Sequence, residues 1–158
     1  MGAVAMDRSA GPTLRPATDA DVEALFGVWS AAVDATHLFL TAEDRALFAG
    51  MVRDNYLPAA ELVVAEIDGE SVAFMGLDGR NVDSLFVRPD RHGQGIGTAM
   101  LDHARTVAGE PLTVSVNEQN PQAVRFYERY GFRTVGRSEL DEAGRPYPTL
   151  HMAMEATP

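Results

Sequence analysis

The sequence predicts a single mixed α/β domain, and three observations support this fold class. The chain has 158 residues, a length that suits one domain with its own core. Apolar residues make up 46% of the chain, as in globular proteins. Strand and helix patterns follow in the order β-α-α-β-β-β-α-β-α-β-β without a linker or repeat. We expect a flexible tail over residues 1–12 and the domain over residues 13–158.

The first third of the chain predicts one strand and two helices. A short strand from residue 13 leads to Asp19, which we expect to cap a helix. Apolar side chains then recur at helical spacing, at Val22, Leu25, Phe26 and Trp29. Thr41 is expected to cap a second helix that runs roughly to Val52, and Pro58 ends this region.

The remaining elements alternate between strands and helices. The stretches ELVVAEI and ESVAFMGLD are separated by Asp68-Gly69, a pair that predicts a hairpin turn. NVDSLFV predicts a strand, and a helix follows from about Gly95 to Val107. After the strand LTVSV, Asn120 and Pro121 are expected to begin a helix that Gly131 ends. FRTVGRSEL and PYPTLHMAM predict the last two strands, around the turn DEAGR.

Composition excludes several classes of function. The formal charge is −10, and all 13 basic residues are Arg, so a Walker-A loop, which needs Lys, is excluded. The acidic balance argues against nucleic-acid binding and suits a cationic substrate. With no Cys there is no thiolate nucleophile. The four histidines lack metal-ligand spacing, so we expect no metal. No apolar run is long enough to span a membrane, and no signal peptide is recognisable, so we expect a cytoplasmic protein.

The stretch RPDRHGQGIGTAML, from Arg88 to Leu101, predicts an anion site. Gly93, Gly95 and Gly97 remove Cβ atoms just before a helix, whose first turn carries unpaired N–H groups and partial positive charge. A dinucleotide-binding fingerprint fits poorly, because Thr98 stands where its third glycine belongs and an antiparallel hairpin precedes the strand.

This stretch resembles the pyrophosphate loop of the GCN5-related N-acetyltransferases (GNAT), [Q/R]-x-x-G-x-[G/A]. Gly95 and Gly97 match the small positions, while His92 stands where the motif opens with Gln or Arg. NPQAVRFYERYGF is similar to a second motif of the family, N-x-x-A-x-x-F-Y-x-x-x-G-F. The element order also agrees, over about residues 13–154. The stretches SAAVDATHLFL, VNEQN and GRPYP are similar to a small bacterial subgroup of YjaB type.

The resemblance implies the GNAT fold and acetyl-CoA as cosubstrate. The backbone of Leu85, Phe86 and Val87 would pair with the pantetheine arm, and an N–H at Phe86 or Val87 would polarise the acetyl carbonyl. Arg88 and Arg91 would add positive charge. The loop would hold the pyrophosphate through Arg91, His92, Gly93, Gln94, Gly95, Ile96, Gly97 and Thr98.

The helix motif supplies the remaining implied residues. Tyr127 would protonate the leaving thiolate, and the alternative is a core aromatic that packs with Phe126 and Tyr130. Asn117 and Asn120 would lie near the pantetheine, and Asn120 also fits a helix cap. Three residues are candidate bases: Asp83, His37 with Asp34 nearby, and His151. An aliphatic amine is almost fully protonated at neutral pH, so a proton acceptor matters.

The reaction implied is acetyl transfer to a primary amine of a small molecule or peptide, by direct attack in a ternary complex. A CoA-binding regulatory module without turnover is the alternative. An enzyme acetylating aminoacyl-tRNA would need a basic face, against which the −10 charge counts. We expect no membrane partner and either a monomer or a homodimer. Residues 30–60 would set the acceptor.

Overall fold

The computed structural model describes residues 11–155 and confirms the predicted element order. The predicted tail falls almost wholly outside these residues and stays a prediction. The strands are β1 (Thr13–Pro16), β2 (Leu62–Ile67), β3 (Glu70–Asp78), β4 (Asn81–Val87), β5 (Thr113–Asn117), β6 (Phe132–Ser138) and β7 (Thr149–Met154). The helices are α1 (Val22–Thr36), α2 (Ala42–Met51), α3 (Ile96–Ala108) and α4 (Pro121–Tyr130).

Four short turns complete the described chain. There are 3-10 turns at Asp19–Asp21 and Pro89–Arg91, a π-helical turn at Val52–Tyr56 and one helical turn at Leu57–Ala59. The π-helical turn continues α2 directly and contributes Tyr56 to the site described below. Within residues 11–155, no helix combines the length and apolarity that crossing a bilayer requires.

The seven strands form one mixed sheet in the order β1-β2-β3-β4-β5-β7-β6. The β4–β5 pair is parallel, and every other neighbouring pair is antiparallel. β4 and β5 pair only at Asn81–Thr113 and Val82–Val114. Beyond these two pairs the strands separate, and the site lies at the resulting gap in the middle of the sheet.

Helices cover both faces of the sheet and enclose two cores. On one face, Leu25, Val28 and Trp29 of α1 pack with Val64 and Phe74 of the sheet. On the other face, side chains of α3 and α4 pack against the alternate residues of the strands; this core includes Ile96, Met100, Leu101, Tyr127 and Met75. Successive side chains of a strand point to opposite faces, so β4 contributes to both cores.

The local signals in the sequence are mostly confirmed. The Thr41 hydroxyl accepts the Asp44 N–H at 3.1 Å, and the Asn120 side chain accepts the Ala123 N–H at 3.3 Å. The expected cap at Asp19 is wrong, because Asp19 lies inside the 3-10 turn. Thr18 is the N-cap of that turn instead, and its capping box is completed by the Asp21 carboxylate. This carboxylate accepts the Thr18 N–H at 2.7 Å and binds Arg15 through two contacts of 2.8 Å.

Candidate active site

Two cavities adjoin the gap beside β4. The larger, which we call the cofactor cavity, has a volume of 580 Å³, within the range of small-molecule sites. It is lined by β4, the glycine loop before α3 and one face of α4. The smaller, which we call the acceptor cavity, has a volume of 380 Å³ and lies towards α1 and α2. His37 and Phe86 line both cavities, so the two meet at these residues.

The three glycines of the loop serve two different purposes. Gly93 and Gly95 have φ angles of +79° and +80°, a left-handed conformation that other residues adopt at a cost. Gly97 is instead needed for packing, because a Cβ there would lie 2.9 Å from the ring of Phe126. The first helical bond of α3 runs from the Ala99 N–H to the Gly95 carbonyl at 3.0 Å. The preceding N–H groups, of Ile96, Gly97 and Thr98, therefore have no helical acceptor, and all three residues line the cofactor cavity.

Charge near the loop comes from Arg91 and not from Arg88. Arg91 lines the cofactor cavity, and its buried Nε has no hydrogen-bond partner among the described residues, as expected of a group that binds an anion. Arg88 binds Asp90 at 2.6 Å and Glu70 at 3.2 Å and does not line the cavity. His92 lines it, but its Nε2 contacts the Val87 carbonyl at 3.1 Å. In the neutral form of the ring, the proton therefore lies on Nε2, which donates it in a hydrogen bond to that carbonyl.

The edge of β4 that faces the gap carries backbone groups without a strand partner. The Arg88 N–H bonds to the Val72 carbonyl on β3 at 2.9 Å. Because alternate residues of a strand point to opposite edges, the backbone groups of Phe86 also face β3. The N–H groups of Leu85 and Val87 face the gap and the cofactor cavity.

Tyr127 lies on α4, where its ring packs edge-on against Phe126 and Phe132. It is 6% exposed and lines the cofactor cavity. Burial raises the pKa of its phenol above the ordinary value, which keeps the hydroxyl protonated at neutral pH. Tyr127 is therefore a core aromatic that carries a protonated hydroxyl and lines the cofactor cavity.

The acceptor cavity combines aromatic walls with carboxylates. Three acidic residues, Asp83, Asp141 and Glu142, line it, and no arginine is among its described lining residues. Its aromatic walls include Trp29, Phe48, Tyr56, Phe74, Phe86 and Tyr147. Such a cavity suits a cationic group on an apolar stem, since carboxylates attract the charge and the rings pack against methylenes.

Tyr56 is fixed at the wall of the acceptor cavity. Its hydroxyl lies 2.6 Å from the Ser84 Oγ, which also accepts the Gly76 N–H at 3.0 Å. Gly76 leaves room for this contact, because a Cβ there would lie 2.3 Å from the Tyr56 hydroxyl. Burial raises the pKa of Tyr56, and the neighbouring Asp83 raises it further. The phenol is therefore a neutral hydrogen-bonding group at physiological pH and not a base.

A buried contact attaches the β6–β7 loop to α2 across the acceptor cavity. The Tyr147 hydroxyl donates to the Asp44 carboxylate, and Arg145 approaches the same carboxylate at 3.5 Å. Tyr147 and Asp44 are 6% and 9% exposed. The loop thereby holds Asp141 and Glu142 at the cavity.

The structure brings most of the predicted site residues together. The residues predicted to bind acetyl-CoA all line the cofactor cavity except Gln94 and Asn117. Asn117 lines the acceptor cavity instead. Asp83 also lines the acceptor cavity, and His37 lines both. His151 lines neither, since its ring bonds Ser115 at 3.1 Å and Ser138 at 2.7 Å on neighbouring strands. Asp34 binds Arg45 at 2.9 Å and is largely exposed.

Several lining residues were not predicted from the sequence. Gln122, Phe126, Arg129 and Tyr130 line the cofactor cavity. Each of them is three or four positions along α4 from another of the set, so they lie on one side of the helix, a spacing that could have indicated them. The acceptor residues Tyr56, Asp141, Glu142 and Tyr147 have no such signal, because they come from separate segments.

Comparison with known proteins identifies the family. Residues 31–156 match the family model described as "Acetyltransferase (GNAT) domain". The peptidyl-lysine N-acetyltransferase YjaB of Escherichia coli strain K12 is 45% identical over 142 residues, which cover 89% of this chain and 95% of that protein. The Salmonella typhimurium protein of the same name is 50% identical over 131 residues, covering 82% and 89% of the two chains.

A solved structure supports the same assignment. The apo solution structure of YjaB from Escherichia coli superposes with a TM-score of 0.87 at 42% identity, and the match covers 94% of this chain and all of that one. Acetyltransferases of this fold take their acyl group from acetyl-CoA, and the loop, Arg91 and the gap beside β4 fit that cosubstrate. The chain belongs to the GNAT family as a YjaB-type member and is an acetyltransferase.

Proposed function

We propose that this enzyme transfers acetyl from acetyl-CoA to the side-chain amine of lysine in peptides or proteins, by direct attack in a ternary complex. The observation that carries the proposal is the meeting of two unlike cavities at His37 and Phe86. One has an anion-binding loop and an unpaired strand edge, and the other has carboxylates and aromatic walls. An acyl donor and an amine bound in these cavities would meet where they join.

The cofactor cavity provides three groups of contacts for acetyl-CoA. The N–H groups at the start of α3 and the Arg91 guanidinium suit its pyrophosphate. The N–H groups of Leu85 and Val87 suit the amides of the pantetheine arm. A Val87 N–H near the thioester would also polarise the acetyl carbonyl and stabilise the oxyanion. Tyr127 supplies the proton for the departing thiolate.

The acceptor cavity favours a lysine side chain. A lysine combines a four-carbon stem with a cationic end, which suits aromatic walls and carboxylates. The two YjaB relatives carry the name peptidyl-lysine N-acetyltransferase, and both cover most of this chain. A small-molecule amine such as a polyamine has similar chemistry and serves as the competing acceptor in the experiment.

The test is thiol release from acetyl-CoA, with mass spectrometry to locate the acetyl group. The acceptors are a lysine peptide, the same peptide with acetyl-lysine, and spermidine. The chain has no Cys and all its basic residues are Arg, so it adds neither thiol background nor lysine acetylation of its own. We expect saturable release and a lysine-acetylated product with the first peptide only. Release with spermidine but neither peptide would contradict the peptide acceptor, and no release despite acetyl-CoA binding would contradict the proposal.

A further inference from the structure

The last residues of α1 fix the tautomer of His37. The Thr36 Oγ1 lies 2.7 Å from the Ala32 carbonyl and 2.7 Å from the Nδ1 of His37. A hydroxyl has one proton, and a carbonyl can only accept, so the Thr36 proton goes to Ala32. Towards His37 the hydroxyl can then only accept. The Nδ1 of His37 therefore carries the ring proton.

The other ring nitrogen is left as a base. In a neutral imidazole protonated at Nδ1, the lone pair lies on Nε2. Among residues 11–155, no hydrogen bond to this Nε2 is formed. The ring packs on Phe39 at a centroid distance of 5.2 Å, and the residue borders both cavities.

Burial keeps this imidazole neutral. The titratable groups that share the acceptor cavity with it are Asp83, Asp141, Glu142, Tyr56 and Tyr147. Those that share the cofactor cavity are Arg91, His92, Tyr127, Arg129 and Tyr130. Burial, and none of these groups, is what lowers the pKa of His37 below its ordinary value. The ring is thus a free base at neutral pH.

We propose that the Nε2 of His37 accepts the proton of the attacking amine, and that Thr36 is the positioning residue that holds the required tautomer. This assignment rests on the proposed function. It chooses between the two candidate bases that reach the acceptor cavity. His37 lies where the cavities meet, whereas Asp83 lines only the acceptor cavity. An imidazole is also better matched to neutral pH than a carboxylate.

The proton balance is complete. The ammonium of the acceptor first loses one proton to Nε2, which passes it to solvent. The free amine forms the N–C bond to the acetyl carbonyl, and the tetrahedral adduct loses the second proton to Nε2, which again passes it to solvent. The C–S bond breaks, and the thiolate takes the phenolic proton of Tyr127, which recovers one from solvent. The net products are the amide, CoA thiol and one proton, while the Nδ1–H bond to Thr36 persists throughout.

The tautomer is tested without any turnover. Long-range ¹H–¹⁵N spectra of the imidazole rings distinguish Nδ1–H from Nε2–H, and His37→Gln identifies the signals of His37. We expect wild type and Thr36→Ser to show Nδ1–H at neutral pH. Thr36→Val, which keeps the shape and removes the hydroxyl, should shift His37 towards Nε2–H. A wild-type ring protonated at Nε2, or a Thr36→Val ring unchanged from wild type, would overturn the assignment.

Kinetics test the role of the base. With a lysine peptide at pH 7, His37→Gln should lower kcat/KM by about 100-fold. The deficit should shrink as the pH approaches the pKa of lysine, where the amine is already free. Thr36→Val should lose about three- to tenfold, and Thr36→Ser should recover most of it. Acetyl-CoA affinity, measured by calorimetry, serves as the control for folding and cosubstrate binding.

These experiments distinguish a failure of the base assignment from a failure of the proposed function. Full activity of His37→Gln, or a deficit of equal size at every pH, would overturn the base assignment while leaving the acetyl transfer intact. Absence of transfer by the wild type would overturn the proposed function, and the tautomer spectra would still decide whether Thr36 controls His37.

Discussion

The two cavities differ in how the chain builds them. The cofactor cavity is made largely from two continuous segments, residues 85–98 and 120–130, the first of which contains the glycine loop. The acceptor cavity is assembled from single residues of α1, α2, the π-helical turn, the sheet and the β6–β7 loop. A backbone site needs particular residue types at fixed spacing, such as the glycines of the loop. A site of scattered side chains leaves no local pattern.

This difference determines what the sequence could predict. Asn120, Tyr127 and the glycine loop were all recognisable, because each is tied to a helix start or a fixed spacing. The left-handed conformation of Gly95 was implied by its residue type, whereas the contact between Gly97 and Phe126 needed the packing of α3 against α4. The fold was predictable for the same reason: hairpin turns and helix caps are local, and the element order follows from them.

On the acceptor side the sequence indicated the stretch 30–60, Asp83 and His37, but the other residues and their contacts could not be predicted, for an equally physical reason. Tyr56 reaches the site through a π-helical turn that no spacing rule indicates, and it meets Ser84 because Gly76 has no side chain. The Tyr147 hydroxyl bonds to Asp44, although the two residues are 103 positions apart in the sequence. His151 looked as suitable as His37 in the sequence, and only the sheet register shows that serines on β5 and β6 hold it.

The largest effect on activity is expected from the loss of the Tyr127 hydroxyl in the cofactor cavity. Tyr127→Phe removes the hydroxyl that we propose as the proton donor and keeps the buried ring. We expect kcat with a lysine peptide to fall by about 100-fold or more, since general acid catalysis contributes on that scale. Acetyl-CoA affinity, measured by calorimetry, should stay within about twofold of wild type, because a buried aromatic is kept. An unchanged kcat would exclude Tyr127 from the mechanism.

A second substitution acts on the cofactor cavity alone. In Gly97→Ala the new Cβ lies 2.9 Å from the Phe126 ring, which must move within the cavity that it lines. We expect acetyl-CoA affinity to weaken by about tenfold, the scale of an overpacked contact. Adding Phe126→Leu to Gly97→Ala should restore much of the affinity. If the double variant binds no better than Gly97→Ala, the steric explanation fails.

A third substitution acts on the acceptor cavity alone. Tyr147→Phe removes the donor to Asp44 and releases the loop that carries Asp141 and Glu142. We expect KM for the peptide to rise by about fivefold, as one hydrogen bond to a charged group allows, with acetyl-CoA affinity unchanged. The matched variant Tyr130→Phe removes a hydroxyl bonded to Asp102 at 2.6 Å, and Tyr130 lines only the cofactor cavity. An equal rise in peptide KM for both variants would argue against separate cavities.

The smallest expected effect concerns an ion pair outside both cavities, and it is an effect on stability. The Arg15 guanidinium, together with the Thr18 N–H, lowers the pKa of Asp21 to about 2 from an ordinary value of 3.8. A carboxyl group whose pKa is lowered on folding stabilises the fold at pH values above its pKa in the unfolded chain. This stability is lost as the pH falls through about 2. Asp21→Asn should therefore cost about 1–2 kcal/mol at pH 7 and much less near pH 2. Urea unfolding at both pH values checks this, and an equal loss at both would contradict the ion-pair explanation.

One measurement tests the two-cavity account most directly: backbone NMR shift changes on adding CoA, and separately on adding a lysine peptide. We predict that CoA perturbs residues 85–98 and 120–130, and that the peptide perturbs residues 40–56 and 141–147. His37 and Phe86, which border both cavities, should respond to each ligand. A peptide that perturbs the glycine loop and spares the β6–β7 loop, or CoA that leaves residues 91–98 unchanged, would contradict the account.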